Sequence, residues 1–243
     1  MGLASELNLT IQDNIGRQWV HEPIVWEPPG VKRDTILVQR DGTPIPAQVV
    51  ATADGIRVLF IIDHLQQDTS TTVTAEPGKQ GPAETDLSIV EENGALVLMN
   101  KFTAVRLNRS HPDRVSSILG VPLPSGKWTG DGIYDTQSAK PVGSKTELLE
   151  EGPVRLSARV TTIFDNGRTH VVTVGLWSGS HSIDVDGSFD LGPDDMYQFK
   201  KFADDRDELA WEWWSWYGDR EGIEEAHPNN RGVSAQQRSV SAL

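Results

Sequence analysis

The chain has 243 residues, with 35 acidic against 22 basic side chains and a formal net charge of −13. That balance excludes the broad basic face that binding to nucleic acid or to an anionic membrane surface requires. The sequence contains no cysteine, which excludes disulfides, thiolate catalysis and cysteine-ligated metal sites.

Neither a membrane span nor a signal peptide is predicted. The longest apolar run, residues 58–62, is too short to cross a bilayer. The first residues, MGLASE, lack the positive and apolar stretches of a signal peptide. We therefore expect a soluble protein without a membrane partner, and the compartment stays open between the cytoplasm and export from a bacterium.

Four tight turns are predicted in the first 170 residues, each at an Asn-Gly or Asp-Gly pair. These pairs readily adopt the positive φ angles of a two-residue hairpin, so each predicts two antiparallel strands joined by a short turn. The pairs are Asp41-Gly42, Asp54-Gly55, Asn93-Gly94 and Asn166-Gly167.

Two later stretches alternate apolar and polar residues, as half-buried strands do. In the first stretch the core-facing residues are Leu156, Ala158 and Val160, and the water-facing ones are Arg155, Ser157 and Arg159. In the second, the core-facing residues are Ile183, Val185, Phe189 and Leu191. Antiparallel strands with one wet face predict an all-β fold, an antiparallel β-sandwich built as one domain or as two β subdomains.

Helical patterning is confined to residues 204–217, which hold four of the chain's eight tryptophans, Trp211 among them. Asp204 or Asp205 would be the N-cap and Gly218 the C-terminal stop. Most of the aromatic residues fall on one broad arc of this helix, whereas Trp211 falls on the polar face. The polar, turn-rich residues after 225 predict a disordered tail.

These elements predict four regions: an N-terminal β subdomain at residues 1–80, a β-sandwich at 81–200, an aromatic helix or linker at 201–225, and a disordered tail at 226–243.

Several segments resemble a known family. Arg17, the step Glu22-Pro23-Ile24 and the run 41–48, DGTPIPAQ, are similar to the opening of large bacterial carbohydrate-active proteins such as exo-rhamnogalacturonan lyase-like enzymes. Residues 87–109 and 150–192 resemble the galactose-mutarotase-like sandwich found beside glycosidase and lyase barrels. The resemblance covers roughly residues 6–200 and implies a β-sandwich module. It transfers no catalytic residue, because no stretch matches a catalytic motif of these enzymes.

Two groups of candidate site residues stand out. The aromatic segment offers rings for sugar stacking or for an interface, and its members are Trp211, Trp213, Trp214, Trp216 and Tyr217. A compact basic group could neutralise a uronate carboxylate, although a plain surface loop is the preferred interpretation; it comprises Arg106, Arg109, His111 and Arg114.

No cofactor or metal is predicted. The acidic run from Asp184 to Asp195 is interpreted as the wet face of a strand, because it lacks the distal glutamate of a calcium loop. Structural calcium in a sandwich stays the alternative.

The functional hypothesis is a carbohydrate-active-enzyme module, non-catalytic alone or an incomplete part of a polysaccharide lyase or glycoside hydrolase. A complete small lyase or epimerase working in the sandwich cleft is a second hypothesis. A structural interaction module without sugar affinity is a third. The expected partners are carbohydrate, and either a missing C-terminal domain or a second copy that binds through the aromatic helix.

Overall fold

The computed structural model describes residues 7–29, 36–109, 116–122, 126–128, 132–136, 139–189, 196–201, 212–217 and 223–225. Within these residues the chain forms strands and no helix, and all of their assigned pairings are antiparallel. The prediction of an all-β fold with antiparallel sheets is therefore confirmed. No helix in the described part has the length and apolarity that crossing a membrane demands.

The strands are numbered in chain order. The first seven are β1 Leu7–Gln12, β2 Trp19–Trp26, β3 Ile36–Arg40, β4 Thr43–Pro44, β5 Ala47–Ala51, β6 Ile56–Leu65 and β7 Ser70–Pro77. They are followed by β8 Ser88–Glu92, β9 Ala95–Met99, β10 Ala104–Asn108, β11 Ile118–Gly120, β12 Gly132–Thr136, β13 Pro141–Glu151, β14 Arg155–Phe164, β15 Thr169–Trp177, β16 Ile183–Phe189, β17 Met196–Lys201, β18 Glu212–Tyr217 and β19 Ile223–Glu225.

Each predicted turn joins two neighbouring antiparallel strands. Asp41-Gly42 joins β3 to β4, and Asn93-Gly94 joins β8 to β9; both residues of each pair have positive φ, between 48° and 78°. Gly167 has a φ of 82° between the adjacent strands β14 and β15. At Asp54-Gly55 the loop is longer than two residues and runs from residue 52 to residue 55, between the paired residues Ala51 and Ile56. The Thr52 N–H closes it by donating to the Gly55 carbonyl.

The chain divides into two compact units. Unit 1 comprises the described residues within Met1–Leu87, Glu150–Leu156 and Trp177–Ser180, and unit 2 comprises the others. Unit 1 is therefore discontinuous along the chain, an arrangement that the local patterns do not reveal. The regions proposed from the sequence, with a division between residues 80 and 81, stay a prediction.

Unit 1 contains two sheets, ordered β1-β7-β3-β4 and β2-β6-β5. Apolar residues from both sheets form one core cluster, in which Val58, Phe60 and Ile62 of β6 are fully buried. The alternate residues of β6 point the other way, and there Leu59 packs in a second small cluster with Val154 and Trp177. Strand β6 is thus buried on both faces, which explains why its sequence is nearly continuously apolar.

Unit 2 contains the sheet β11-β10-β9-β8, most of the sheet β13-β14-β15-β16, and the sheet β12-β17-β18-β19. The first two are linked by buried polar contacts: the Ser117 and Thr162 hydroxyls are 2.9 Å apart, and the Thr146 hydroxyl donates to the Asn108 carbonyl. Leu156, Ala158 and Val160 are buried as predicted, and Arg159 is exposed. Ser157, predicted to face water, is buried, because a small side chain on a strand inside a sheet is easily covered by its neighbours.

The C-terminal segment is described only in part. Glu212–Tyr217 forms β18 in antiparallel pairing with β17, so that Trp214 lies opposite Phe199 and Trp216 opposite Tyr197. Tryptophan and tyrosine also favour strands, which competes with their helical spacing. Residues 202–211, 218–222 and 226–243 lie outside the described residues, so the aromatic helix or linker at 201–225 and the disordered tail at 226–243 stay predictions.

His170 is the buried titratable side chain of the unit 2 core. It lies on β15, 1% exposed, with its backbone paired to Phe189 of β16. Burial disfavours the charged imidazolium and lowers the pKa of His170 to about 3 from its usual 6.5. The folded chain therefore holds this ring neutral well below neutral pH.

We expect this burial to make the stability of the protein fall with acid between about pH 6.5 and pH 4.5. Only the unfolded chain takes up the proton in that window, so the free energy of unfolding should fall by about 1.4 kcal/mol per pH unit once the unfolded histidine is protonated. Asp13 and Asp41, whose pKa values are lowered by hydrogen bonds, add their own losses only as the pH falls towards about 4 and below.

Urea unfolding measured at intervals across this window tests the prediction. A His170→Gln variant should lose this part of the slope, whereas the exposed control His64→Gln should keep it. An unchanged slope in His170→Gln would contradict a buried neutral histidine.

Candidate functional site

Several residues of the segments that resemble the known family make hydrogen bonds that hold turns in unit 1. Arg17 Nη2 donates to Glu22 Oε1 at 3.0 Å, which ties the turn before β2 to the strand itself. Asp41 accepts the Thr71 hydroxyl at 2.8 Å and the Thr72 N–H at 3.2 Å. These hydrogen bonds hold the pKa of Asp41 below its usual value, so the turn is stabilised by a charged carboxylate at neutral pH.

Gln48, the last residue of the DGTPIPAQ run, holds the β13–β14 turn. Its Oε1 accepts the Arg155 N–H at 2.8 Å and the Val154 N–H at 3.3 Å. The turn passes so close that a Cβ on Gly152 would lie 2.7 Å from Gln48 Cγ and still nearer to the amide. Glycine at 152 is therefore required by the Gln48 side chain.

Arg155, at the start of β14, lies in the same network. Its Nη1 donates to Glu150 Oε2 at 2.6 Å, and its guanidinium carbon lies 5.3 Å from the centre of the Trp177 ring. The Glu150 side chain is buried, and the close Arg155 guanidinium compensates its charge. The segments that resemble the carbohydrate-active proteins thus build scaffold contacts.

The turn after β15 is fixed by three polar side chains. Asp86 accepts the Ser178 hydroxyl at 2.8 Å and the Gly179 N–H at 3.1 Å. His21 Nε2 donates to the Ser178 carbonyl at 2.7 Å. The His21 ring leaves no room for a side chain at Gly179, which also has a φ of 68°.

The predicted basic group is only partly described. Arg106 donates to Glu92 Oε1 from Nε at 3.0 Å and from Nη2 at 2.7 Å, and its guanidinium lies 3.8 Å from the centre of the Trp128 ring. Arg109 donates to Glu91. His111 and Arg114 lie outside the described residues. Both described arginines are therefore ion-paired to β8, and the group as a site for a uronate stays a prediction.

The side chains of the predicted aromatic group lie outside the described part of the structure. Trp211 lies outside the described residues, and Trp213, Trp214, Trp216 and Tyr217 belong to β18. No cluster of three or more His, Asp or Glu residues in the described part of the chain is arranged to hold a metal ion. Asp184 and Asp186 lie on β16 opposite Gly175 and Thr173, and the rest of that acidic run is not described.

A surface cluster of unit 2, which we call the Phe102 cluster, was not foreseen from the sequence. It consists of Asn100, Lys101 and Phe102 in the β9–β10 loop and of His181 in the β15–β16 loop. The Phe102 and His181 rings are stacked, with centres 3.9 Å apart and planes inclined by 29°. Lys101 Nζ lies 4.8 Å from the centre of the Phe102 ring.

Asn100 fixes the loop that carries this cluster. Its Oδ1 accepts the N–H groups of Phe102 and Thr103, both at 2.8 Å, and its own N–H donates to the Thr103 carbonyl at 3.0 Å. This is the local hydrogen bonding by which Asn favours turns. The sequence signal is the run Asn-Lys-Phe-Thr between two apolar strands, where an aromatic residue occupies a turn.

The chain matches no protein-family model, and no curated protein sequence matches it.

The contact between Gln48 and Gly152 predicts a strong coupling between two substitutions. Gly152→Ala should destabilise the protein by about 1–3 kcal/mol, because the new methyl group collides with the Gln48 side chain. Gln48→Ala should also destabilise it, because it leaves two backbone N–H groups without their acceptor. In the Gln48→Ala background the added Gly152→Ala change should cost much less, since the colliding side chain is gone.

Urea unfolding of the four proteins measures this coupling. Gly143→Ala is the matched control, because a Cβ there meets nothing within 4 Å, and we expect a change within about 0.5 kcal/mol. Simple additivity of the two substitutions would contradict the contact.

Proposed function

We propose that this chain is a non-catalytic β-sandwich module of a carbohydrate-active enzyme, of the polysaccharide lyase or glycoside hydrolase class. The sandwich form is part of the proposal. It is supported in unit 1 by the core cluster to which the inner faces of two antiparallel sheets contribute. In unit 2 it is supported by the polar contacts between the sheets that contain β10 and β14.

The observation that carries the proposal is the hydrogen bonding of Gln48 to the β13–β14 turn. Gln48 ends one of the segments that resemble carbohydrate-active proteins, and Val154 and Arg155 belong to another. Two stretches more than 100 residues apart, chosen for their resemblance alone, thus meet in one specific contact. That supports their origin in a common scaffold.

The pairing of charges favours a module without chemistry of its own. A glycosidase needs two carboxyl groups that face each other across the scissile bond, and a uronate lyase needs a base and a cation for the substrate carboxylate. Among the described residues, Arg106, Arg109 and Arg155 are each ion-paired with a glutamate of their own unit. These cations stabilise the sheets, and that leaves sugar binding as the function that we propose.

We expect the chain to bind at least one class of plant-wall oligosaccharide and to cleave none. An array of pectic, arabinogalactan, xylan and cellulose oligosaccharides measures binding, and mass spectrometry of the same mixtures after incubation measures turnover. Turnover would replace the proposal with the complete small lyase or epimerase. The absence of both binding and turnover would leave the structural interaction module.

A further inference from the structure

We propose that Asn93 is a site of spontaneous covalent modification, at which the folded chain converts the side-chain carboxamide to a carboxylate and forms isoaspartate. The inference goes beyond the proposed function and does not depend on it. Two Asn-Gly pairs of this chain could undergo the reaction, Asn93-Gly94 in the β8–β9 turn and Asn166-Gly167 in the β14–β15 turn. The structure distinguishes between them.

The reaction starts at the backbone nitrogen that follows the asparagine. This nitrogen attacks the side-chain carbonyl carbon, a C–N bond forms, and the carboxamide nitrogen leaves as ammonia together with the proton of the attacking N–H. Water then adds to one of the two carbonyl carbons of the resulting cyclic imide and opens it to aspartate or to isoaspartate. Glycine favours the attack because it has no side chain beside the nitrogen. Water is the co-reactant, and no electrons are exchanged.

The β8–β9 turn leaves both reacting groups of Asn93-Gly94 accessible. Asn93 is exposed, and φ angles of 48° and 75° make the pair a type I′ turn between the partners Glu92 and Ala95. Within the described part of the chain, neither the Asn93 carboxamide nor the Gly94 N–H makes a hydrogen bond. The Gly94 carbonyl accepts the Arg109 N–H at 3.0 Å, but this carbonyl takes no part in ring closure.

The β14–β15 turn holds the same two groups in hydrogen bonds. The Gly167 N–H, which would have to attack, donates to the Phe164 carbonyl at 3.0 Å. The Asn166 Oδ1, on the carbon that would be attacked, accepts the Arg168 N–H at 3.1 Å. Ring closure at Asn166 therefore requires that both contacts break first.

The two turns also differ in how easily they open. In the described sheets β8 is an edge strand paired with β9, whereas β14 and β15 each have a neighbour on both sides. Asp165 in the β14–β15 turn is further tied to Lys140, to whose carbonyl its N–H donates at 2.9 Å and whose N–H its Oδ1 accepts at 3.0 Å. Local opening is easiest where the fewest contacts have to break, which favours reaction at Asn93.

Isoaspartate at position 93 should loosen β8. It adds one backbone carbon to a turn of two residues, so Glu92 loses its register with β9. The ion pairs of Glu92 with Arg106 and of Glu91 with Arg109 weaken with the strand that carries both glutamates. Aspartate at the same position keeps the turn, because Asp-Gly also favours the type I′ conformation.

The test follows both sites in the purified full chain, folded and in concentrated urea, at mildly alkaline pH. Peptide mass spectrometry measures each conversion, and electron-transfer fragmentation distinguishes isoaspartate from aspartate. In the folded chain we expect Asn93 to react at least about tenfold faster than Asn166, the factor that corresponds to one net hydrogen bond broken at Asn166. In urea the two rates should become similar, because both asparagines precede glycine and neither turn persists.

Three results would each overturn the site. They are equal rates in the folded chain, a faster reaction at Asn166, and the absence of reaction at Asn93 over a period in which the urea-treated chain reacts there. A rate difference that persists unchanged in urea would assign it to the neighbouring sequence, and the structural argument would then be wrong.

Urea unfolding measures the loosening of β8. The isoaspartate form, isolated by chromatography from aged protein, is compared with Asn93→Asp, the matched control that carries the same added charge on a normal backbone. We expect the isoaspartate form to unfold at a lower urea concentration and Asn93→Asp to stay close to the wild type. A midpoint shared by the two forms would show that the turn accommodates the extra atom, and it would overturn the effect on β8.

Discussion

Strand β6 carries apolar side chains on both faces, so unit 1 needs an apolar layer on each side of the β2-β6-β5 sheet. The inner layer comes from the sheet that contains β1, β3 and β7. The outer layer includes Val154 and Trp177, which arrive from much later in the chain. When a turn packs on a sheet in this way, its backbone N–H groups need hydrogen-bond acceptors. The Gln48 side-chain oxygen accepts two of these N–H groups. At the turn after β15, Asp86 likewise accepts the Gly179 N–H, and His21 donates to the Ser178 carbonyl.

Several arginines of this acidic chain pair with glutamates. The cations Arg106, Arg109 and Arg155 each lie against a glutamate, and Arg106 and Arg155 also cover a tryptophan ring. A guanidinium can do both at once, because it donates hydrogen bonds in its plane while its flat face rests on an aromatic ring. Arginine in these sheets thus supplies packing and charge compensation together.

The parts of the fold that depend on local chemistry could be predicted. Asn-Gly and Asp-Gly pairs fix turns through the φ angles of two residues, and alternation fixes which side chains of β14 face the core. Beyond these hairpins the partner of a strand could not be predicted, because alternation is the same whichever strand lies alongside. The contact of Gln48 with Gly152 has no local signature, since a glutamine and a glycine acquire their roles only when the chain brings them together. In the aromatic segment two local signals conflict, because tryptophan favours strands while the spacing of the tryptophans suits a helix.

The Phe102 cluster escaped prediction for a related reason. Phe102 could be located in a turn from the sequence, but His181 lies 79 positions later and its stacking on Phe102 is a product of the fold. Residues on different loops are in general brought together by the scaffold rather than by their spacing in the chain.

The discontinuity of unit 1 has a consequence for synthesis on the ribosome. Its first strands are complete at Leu87, but the last residues that cover β6 are made roughly 90 positions later, at Ser180. At about 5–20 residues per second, the outer face of β6 waits roughly 5–20 seconds for its cover. During that interval Leu59 and Ile61 are the apolar residues to which a nascent-chain chaperone would bind. Strands that belong to unit 2 are translated within the same interval, so the N-terminal unit is finished only after much of unit 2 has been made.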